Sequence, residues 1–129
     1  MYSKETIKRF RKPKFAGRIK NADAVGEEGG FKCGDMMRVY LKVKKGNKKG
    51  IKDEIKDIKF ETYGCVAAIS STDMMCELVK GKTLEEAYKM PNKEIVNSLG
   101  EMPEIKIHCS ILGMGALRKA IDNYRKKSG

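Results

Sequence analysis

The chain lacks several features that point to common classes of protein. It has no tryptophan, and aromatic residues make up only 7% of its 129 positions, which leaves few platforms for stacking nucleic-acid bases. No run of about 18 apolar residues occurs, so no membrane-spanning helix is expected. The first residues show no apolar stretch after a basic start, so no secretory signal is predicted and a cytoplasmic location is expected.

Cysteine and histidine are also scarce, with four residues and one residue. No Cys-x-x-Cys pair occurs, which excludes the zinc-finger spacing of two close pairs. In the reducing compartment expected without an export signal, thiols bind metal or react more often than they form disulfides. The cysteines are therefore candidates for metal or thiol chemistry.

Positive charge is present in excess. The net charge is +11, which is compatible with a nucleic-acid or an acidic protein partner. The lysines are spread along the chain, and the one dense cluster, at residues 42–52, is interpreted as a solvated hairpin tip that protects a sheet edge. RNA-recognition signatures are missing. An RNA-binding protein is therefore kept only as an alternative, and nucleic acid is not the expected partner.

Hydrophobic patterning predicts one domain over residues 1–129 with an α+β fold. We expect a small three-stranded antiparallel sheet packed against several helices, with a long C-terminal helix. Apolar and polar residues alternate from Met37 to Val43, which predicts a half-buried strand, and a second strand is predicted to end at Thr62. The glycine-rich residues 12–34 are predicted to form a long mobile loop that ends at Cys33.

One helix is predicted before the strands in the chain and one after them. Ser3 is expected to cap a short first helix, with Ile7 and Phe10 on one face. Residues 66–80 carry an apolar stripe at helical spacing. Cys76 lies on that stripe and is assigned to the core, since free cysteine is often buried.

The remaining helices have recognisable start and stop signals. A capping box at residues 83–86 opens a short helix, and Asn92 is predicted to cap the next one. The last helix is predicted to begin at residue 107 or 108 and to run to about residue 126. It contains Gly113 and Gly115, each costing roughly 1 kcal/mol relative to alanine, so its first turns are flexible or its regular part starts after Gly115.

The other three cysteines carry the functional prediction. Cys33 ends the glycine-rich loop, Cys65 lies where a strand meets a helix, and Cys109 lies near the start of the last helix. Three soft thiolates and one harder ligand can complete a tetrahedral site for iron–sulfur chemistry or for zinc. Asp35 and His108, beside two of these cysteines, are the candidates for the fourth ligand.

Each candidate also has a simpler interpretation. Asp35 can cap or solvate its loop, because exposed aspartate is ordinary. Cys65 taken alone is as consistent with a small core residue as with an activated thiol. A thiol enzyme with Cys109 as nucleophile and His108 as base is geometrically poor, since adjacent residues of a helix do not face each other.

Four motifs together resemble the IscU/NifU family of iron–sulfur cluster assembly scaffolds, in the family's order and over nearly the whole chain. They are Cys33-Gly34-Asp35, Tyr63-Gly64-Cys65-x-x-Ala68-Ile69-x-Ser71-Thr72, Val79-Lys80-Gly81-Lys82-Thr83-Leu84-Glu85-Glu86-Ala87 and Lys106-Ile107-His108-Cys109-Ser110-Ile111-Leu112. The separation of 44 residues between Cys65 and Cys109 (109 − 65) resembles the IscU branch.

The resemblance implies a scaffold and not an enzyme. A [2Fe–2S] cluster would be assembled on Cys33, Cys65 and Cys109, with Asp35 or His108 as the fourth ligand, and then passed to apo iron–sulfur proteins. The same ligands accept zinc, so a zinc-binding domain is the main alternative.

The resemblance also implies partners. Cys109 is the expected sulfur acceptor, assisted by Lys106, with sulfur from a cysteine desulfurase or free sulfide and electrons from a donor such as a ferredoxin. Glu104 replaces the second proline of the family's chaperone-recognition segment, which weakens the case for an Hsp70-type chaperone. A homodimer around the cluster is compatible with the exposed loop predicted around Cys33.

Overall fold

The computed structural model describes residues 3–30, 35–46, 53–62, 66–100 and 112–128. Within these ranges the chain forms five helices and three strands, which confirms the predicted α+β class. The elements are α1 (Lys4–Arg11), β1 (Ala24–Gly30), β2 (Asp35–Lys44), β3 (Glu54–Thr62), α2 (Val66–Val79), α3 (Leu84–Lys89), α4 (Asn92–Leu99) and α5 (Leu112–Ser128).

The sheet is antiparallel, in the order β1-β2-β3. Its register places Gly30 opposite Asp35 at one end of β1 and β2, and Met37 opposite Thr62 at the neighbouring end of β3. The alternation predicted for β2 is confirmed, since its apolar positions are buried against the helices. The buried hydrophobic residues of the sheet are Ala24, Met37, Val39, Tyr40, Leu41, Val43, Ile55, Ile58 and Phe60.

Strand β1 lies within residues 12–34, which were predicted to form a loop. The loop prediction is therefore wrong for residues 24–30. The strand contains three glycines and few β-formers, which is why its sequence is typical of a loop. Gly26 explains the composition: a Cβ atom there would lie 2.2 Å from the Ala116 carbonyl oxygen and 2.3 Å from the Ala120 nitrogen. Helix α5 therefore packs directly on the strand backbone, where only glycine fits.

Helix α1 begins as predicted but buries a different face. The Thr6 amide donates to the Ser3 hydroxyl at 3.1 Å, which confirms the cap. The buried side chains are Thr6 and Arg9, whereas Phe10 is 40% exposed, so the apolar face of Ile7 and Phe10 is not the buried face of the helix. Polar contacts with α2 decide the orientation, because Arg9 forms ion pairs there.

Helix α2 is buried over most of its surface. The predicted stripe is confirmed, including Cys76 at 0% exposure. Polar residues that the stripe does not include are buried as well, so the helix lies between other elements on several sides. These residues are Ser70, Ser71 and Asp73. Gly81 follows the helix with a φ of +89°, the left-handed conformation that ends many helices.

Two helix caps were predicted here, a capping box for α3 and a cap at Asn92 for α4. The capping box is confirmed, since the Thr83 hydroxyl accepts from the Glu86 amide and the Glu86 carboxylate accepts from the Thr83 amide. The cap predicted at Asn92 is wrong. Helix α4 begins at Asn92 itself, after a turn in which the Glu94 amide donates to the Pro91 carbonyl at 3.1 Å. The Asn92 side-chain oxygen is buried and has no hydrogen-bond partner within the described part of the chain.

Helix α5 is regular from Leu112, so the expectation that it becomes regular only after Gly115 is wrong. The predicted start at residue 107 or 108 lies outside the described residues. Leu117, Ile121 and Tyr124 are buried, as predicted. None of the helices in the described ranges combines the length and apolar character needed to cross a membrane.

Candidate functional site

The predicted ligand side chains fall outside what the structure describes. This holds for Cys33, Cys65, His108 and Cys109, and for the assisting Lys106. Asp35 is the first residue of β2, and only its backbone is described. The cysteines fall in three segments, residues 31–34, 63–65 and 101–111, and the described residues that flank these segments bear on the location of the candidate site.

Two of the three segments leave the sheet at the same end. Residues 31–34 join β1 to β2, where Gly30 is paired with Asp35. Thr62, the last residue of β3, is paired with Met37 on β2, and its hydroxyl donates to the Met36 carbonyl at 2.6 Å. The chain therefore enters residues 63–65 beside the start of β2.

The third segment ends at α5, which runs antiparallel to β1. Asn123 donates to the Val25 carbonyl at 2.8 Å, and Lys119 Nζ lies 3.2 Å from the Glu28 carboxylate. A Cβ atom at Gly115 would lie 2.8 Å from that carboxylate. Earlier residues of the helix thus face later residues of the strand, so the first turn of α5 lies at the end of β1 where the hairpin turns.

The first turn of α5 also contacts α2. A Cβ atom at Gly113 would lie 2.6 Å from the Thr72 hydroxyl oxygen. Helix α2 begins at Val66, directly after Cys65, and α5 begins at Leu112, three residues after Cys109. Each of the three cysteine segments therefore has a described flank at one end of the molecule: Gly30 and Asp35 for the first, Thr62 for the second and the start of α5 for the third.

Near that end, the described carboxylates of Glu27, Glu28 and Glu61 are all paired with cations, Glu28 with Lys119 and the other two with arginine. Arg38 on β2 forms ion pairs with Glu27 and Glu61. A hydrogen bond from Tyr40 and another from Arg18 hold the pKa of Glu61 below its usual value. Among the side chains that are described, no group of three or more His, Cys, Asp or Glu residues is placed to hold a metal ion.

Cys76 is excluded from the candidate site by its position in the core. Burial, and next the nearby Asp73 carboxylate, raise the pKa of its thiol well above the usual value. A protonated thiol enclosed by apolar side chains is a poor ligand and a poor nucleophile. The assignment of Cys76 to the core is therefore confirmed.

Two polar side chains of α2 make contacts that were not predicted from the sequence. Asp73 is fully buried and accepts hydrogen bonds from Arg9 and from the Phe15 amide. Thr72 is 1% exposed and contacts the start of α5. The available signal was the carboxylate of Asp73 among the apolar and small residues of α2, since a buried charge requires a partner. The contact of Thr72 had no sequence signal.

Comparison with known proteins gives a consistent result. The family model described as "NifU-like N terminal domain" matches residues 1–129. The Archaeoglobus fulgidus "Iron-sulfur cluster assembly scaffold protein IscU 1" is 44% identical over 129 residues, which covers 100% of this chain and 80% of that protein. The corresponding IscU protein of Haemophilus influenzae is 40% identical over 131 residues, covering 99% of this chain and 98% of the relative.

A solved structure extends the likeness to three dimensions. It is a crystal structure of a candidate iron–sulfur cluster assembly scaffold protein for the SUF system from Fervidobacterium islandicum AW-1. It superposes with a TM-score of 0.73 at 28% identity, covering 93% of this chain and 96% of that one. With a family match over every residue and relatives of similar sequence over nearly their full length, this chain belongs to the NifU-like N-terminal domain family.

Proposed function

We propose that the protein is a scaffold on which a [2Fe–2S] cluster is assembled and from which it is transferred to apo-proteins. The ligands are Cys33, Cys65 and Cys109, with Asp35 or His108 in the fourth position. One observation carries the proposal: the described flanks of the three cysteine segments converge at one end of the fold. Relatives that share the whole chain are named as iron–sulfur cluster assembly scaffolds, which supports the same role here.

The ligand set suits a cluster that has to leave. Thiolates bind iron strongly, whereas a carboxylate is a harder and weaker ligand for it. Asp35 therefore provides the bond that breaks first during transfer. Cys65 directly precedes α2, and the free N–H groups at a helix start favour the thiolate form that binds metal.

When a cysteine desulfurase is the source of sulfur, the Cys109 thiolate attacks the outer sulfur of the desulfurase persulfide, and the desulfurase leaves as its thiolate; Lys106 helps to position the segment. Free sulfide is already at the oxidation level of the cluster and binds iron directly, without Cys109 as acceptor. Sulfur delivered as a persulfide has to gain two electrons to become sulfide, so an electron donor such as a ferredoxin takes part. The cluster is then transferred to apo iron–sulfur proteins, and a homodimer shielding the cluster is compatible with this sequence of steps.

The first test is anaerobic reconstitution with iron and sulfide, followed by visible absorption and Mössbauer spectroscopy. Changing Cys33, Cys65 or Cys109 to serine should abolish the stable cluster, because each change removes a thiolate ligand. Cys76→Ser is the matched control and should retain the visible spectrum, since Cys76 is in the core. A cluster lost only in Cys76→Ser would refute the ligand set.

Two further measurements on the reconstituted protein, the rate of cluster transfer and the metal content, separate the alternatives for the fourth ligand and for the metal. Asp35→Ala should slow transfer to an apo-ferredoxin, because the labile bond is gone, and His108→Ala should leave the rate unchanged. The reverse pattern would make His108 the fourth ligand. Zinc without iron or sulfide, in protein purified without oxygen and after reconstitution, would instead favour a zinc-binding domain.

A further inference from the structure

Two glycines lie in the first turns of α5, where they oppose helix formation. Glycine is among the poorest helix formers because it has the most conformational freedom to lose. Neither Gly113 nor Gly115 has the positive φ that would require glycine. What they share is a close neighbour outside the helix, so contact and not backbone conformation accounts for them.

The neighbour of Gly113 is rigid. A Cβ atom at this position would lie 2.6 Å from the Thr72 hydroxyl oxygen and 3.3 Å from both Cβ and Cγ2 of Thr72. Thr72 is 1% exposed, and its hydroxyl has no hydrogen-bond partner among the described residues. A buried, β-branched side chain on a helix has few rotamers into which it can move.

The neighbour of Gly115 can move. A Cβ atom there would lie 2.8 Å from the Glu28 carboxylate and 3.2 Å from Cγ of Glu28. The Glu28 side chain is 31% exposed, and its ion pair with Lys119 lies at the surface. A flexible side chain at the surface can rotate away at little cost. The two glycines therefore differ in what an added methyl group would displace.

We infer that Thr72 and Gly113 are positioning residues that fix the spacing between the segments of Cys65 and Cys109. Thr72 is on the helix that follows Cys65, and Gly113 is four residues after Cys109. Their contact therefore joins the helix that follows Cys65 to the first turn of the helix that follows Cys109. The inference rests on the proposed function, because it assigns the contact a role in bringing those two thiolates to one metal.

The test measures Co²⁺ binding by the reduced, metal-free protein, using thiolate-to-cobalt absorption and competition with a chelator. Gly113→Ala should weaken binding about tenfold or more, as changes behind metal ligands do, because the methyl group pushes α5 away from Thr72. Gly115→Ala is the matched control, with the same substitution two residues along, and should leave the affinity unchanged. Circular dichroism at the assay temperature establishes that each variant is folded.

Two further variants distinguish positioning from a general loss of stability. Thr72→Ala removes the atoms on which Gly113 rests, so it should also weaken Co²⁺ binding. The double variant Thr72→Ala/Gly113→Ala should recover affinity, because the new methyl group occupies the space that Thr72 vacated. A general loss of stability would make the double variant worse than either single one.

Each result has a defined meaning. An unchanged affinity in folded Gly113→Ala, or a folded double variant without recovery, overturns the inference. If Gly113→Ala does not fold, Thr72→Ala decides, and an affinity equal to that of the unmodified chain overturns the inference. If the unmodified chain shows no thiolate-to-cobalt absorption, the proposed function itself fails.

Discussion

At the scale of single residues, glycine serves two separate purposes in this fold. Gly26 permits the backbone of β1 to touch the backbone of α5. Gly81 instead adopts a φ of +89° after α2, with open space around it. The first position excludes a side chain by contact, whereas the second disfavours one only through backbone strain.

This difference predicts unequal costs for the same substitution. Gly26→Ala should lower the free energy of unfolding by about 3 kcal/mol or more, the upper range for overpacking, because the atoms in its way belong to the α5 backbone. Gly81→Ala should cost only about 1 kcal/mol, from the left-handed backbone. Urea unfolding of the metal-free variants measures both.

The decisive observation is which of the two variants loses more free energy of unfolding. A Gly26→Ala protein as stable as Gly81→Ala would mean that α5 moves off β1 with little loss. The contact between these two elements would then not depend on glycine.

At the scale of elements, α1 is held to α2 by charge more than by apolar contact. Arg9 donates to the Asp73 carboxylate at 2.7 Å and to the Glu77 carboxylate at 2.8 Å. Asp73 also accepts from the Phe15 amide at 2.8 Å. The Ser70 hydroxyl donates to the Thr6 carbonyl at 2.6 Å, so the buried interface is largely a set of paired polar groups.

Removing Arg9 should therefore be costly. Arg9→Met keeps the length of the side chain but leaves Asp73 buried without its charged partner, and such changes cost about 3 kcal/mol or more. Urea unfolding measures the loss. Arg11→Met, on the same helix but exposed, is the control and should change stability little.

Acid provides a second readout of the same contact. The hydrogen bond from Arg9 lowers the pKa of Glu77, so the unfolded chain binds the proton more tightly than the folded one. The stabilisation is therefore present near neutral pH and is lost as the pH falls through the folded pKa. Arg9→Met should lose this part of the acid dependence, and an unchanged pH profile would contradict the role given to Arg9.

How far the sequence predicts an element depends on what determines that element. The alternation in β2 and the capping box of α3 are local patterns, and both were predicted correctly. The position of strand β1 depends on the packing of α5 against Gly26. Contacts with α2 determine which face of α1 is buried. These contacts join residues far apart in the chain, which a local pattern does not contain.

At the scale of the whole molecule, the candidate site joins segments that only the complete fold brings together. Residues 31–34 and 63–65 adjoin the sheet at one end, and residues 101–111 lead to the start of α5 at that same end. The cysteines were predicted from their residue type and from a family resemblance. The convergence of their flanks required the antiparallel packing of α5 on β1, which the sequence did not predict.

Metal binding should consequently stabilise the entire domain. With free Zn²⁺ at 100 times its Kd, binding adds about 2.7 kcal/mol, which corresponds to an increase in Tm on the order of 10 °C for a domain of this size. Differential scanning calorimetry of the reduced protein measures the increase. The triple variant Cys33→Ser/Cys65→Ser/Cys109→Ser should show almost none. An equal shift in both proteins would place the zinc elsewhere.

The Ser3 cap of α1 has a practical consequence for protein preparation. Ser3 caps α1 and also donates to the Leu99 carbonyl, next to Gly100 and the chain that leads to Cys109. An affinity tag joined ahead of Ser3 would crowd this junction. Helix α5 has 17 residues, so its far end lies about 25 Å from its start. A tag placed after α5 therefore leaves the end where the three cysteine segments have described flanks unobstructed for labelling and spectroscopy.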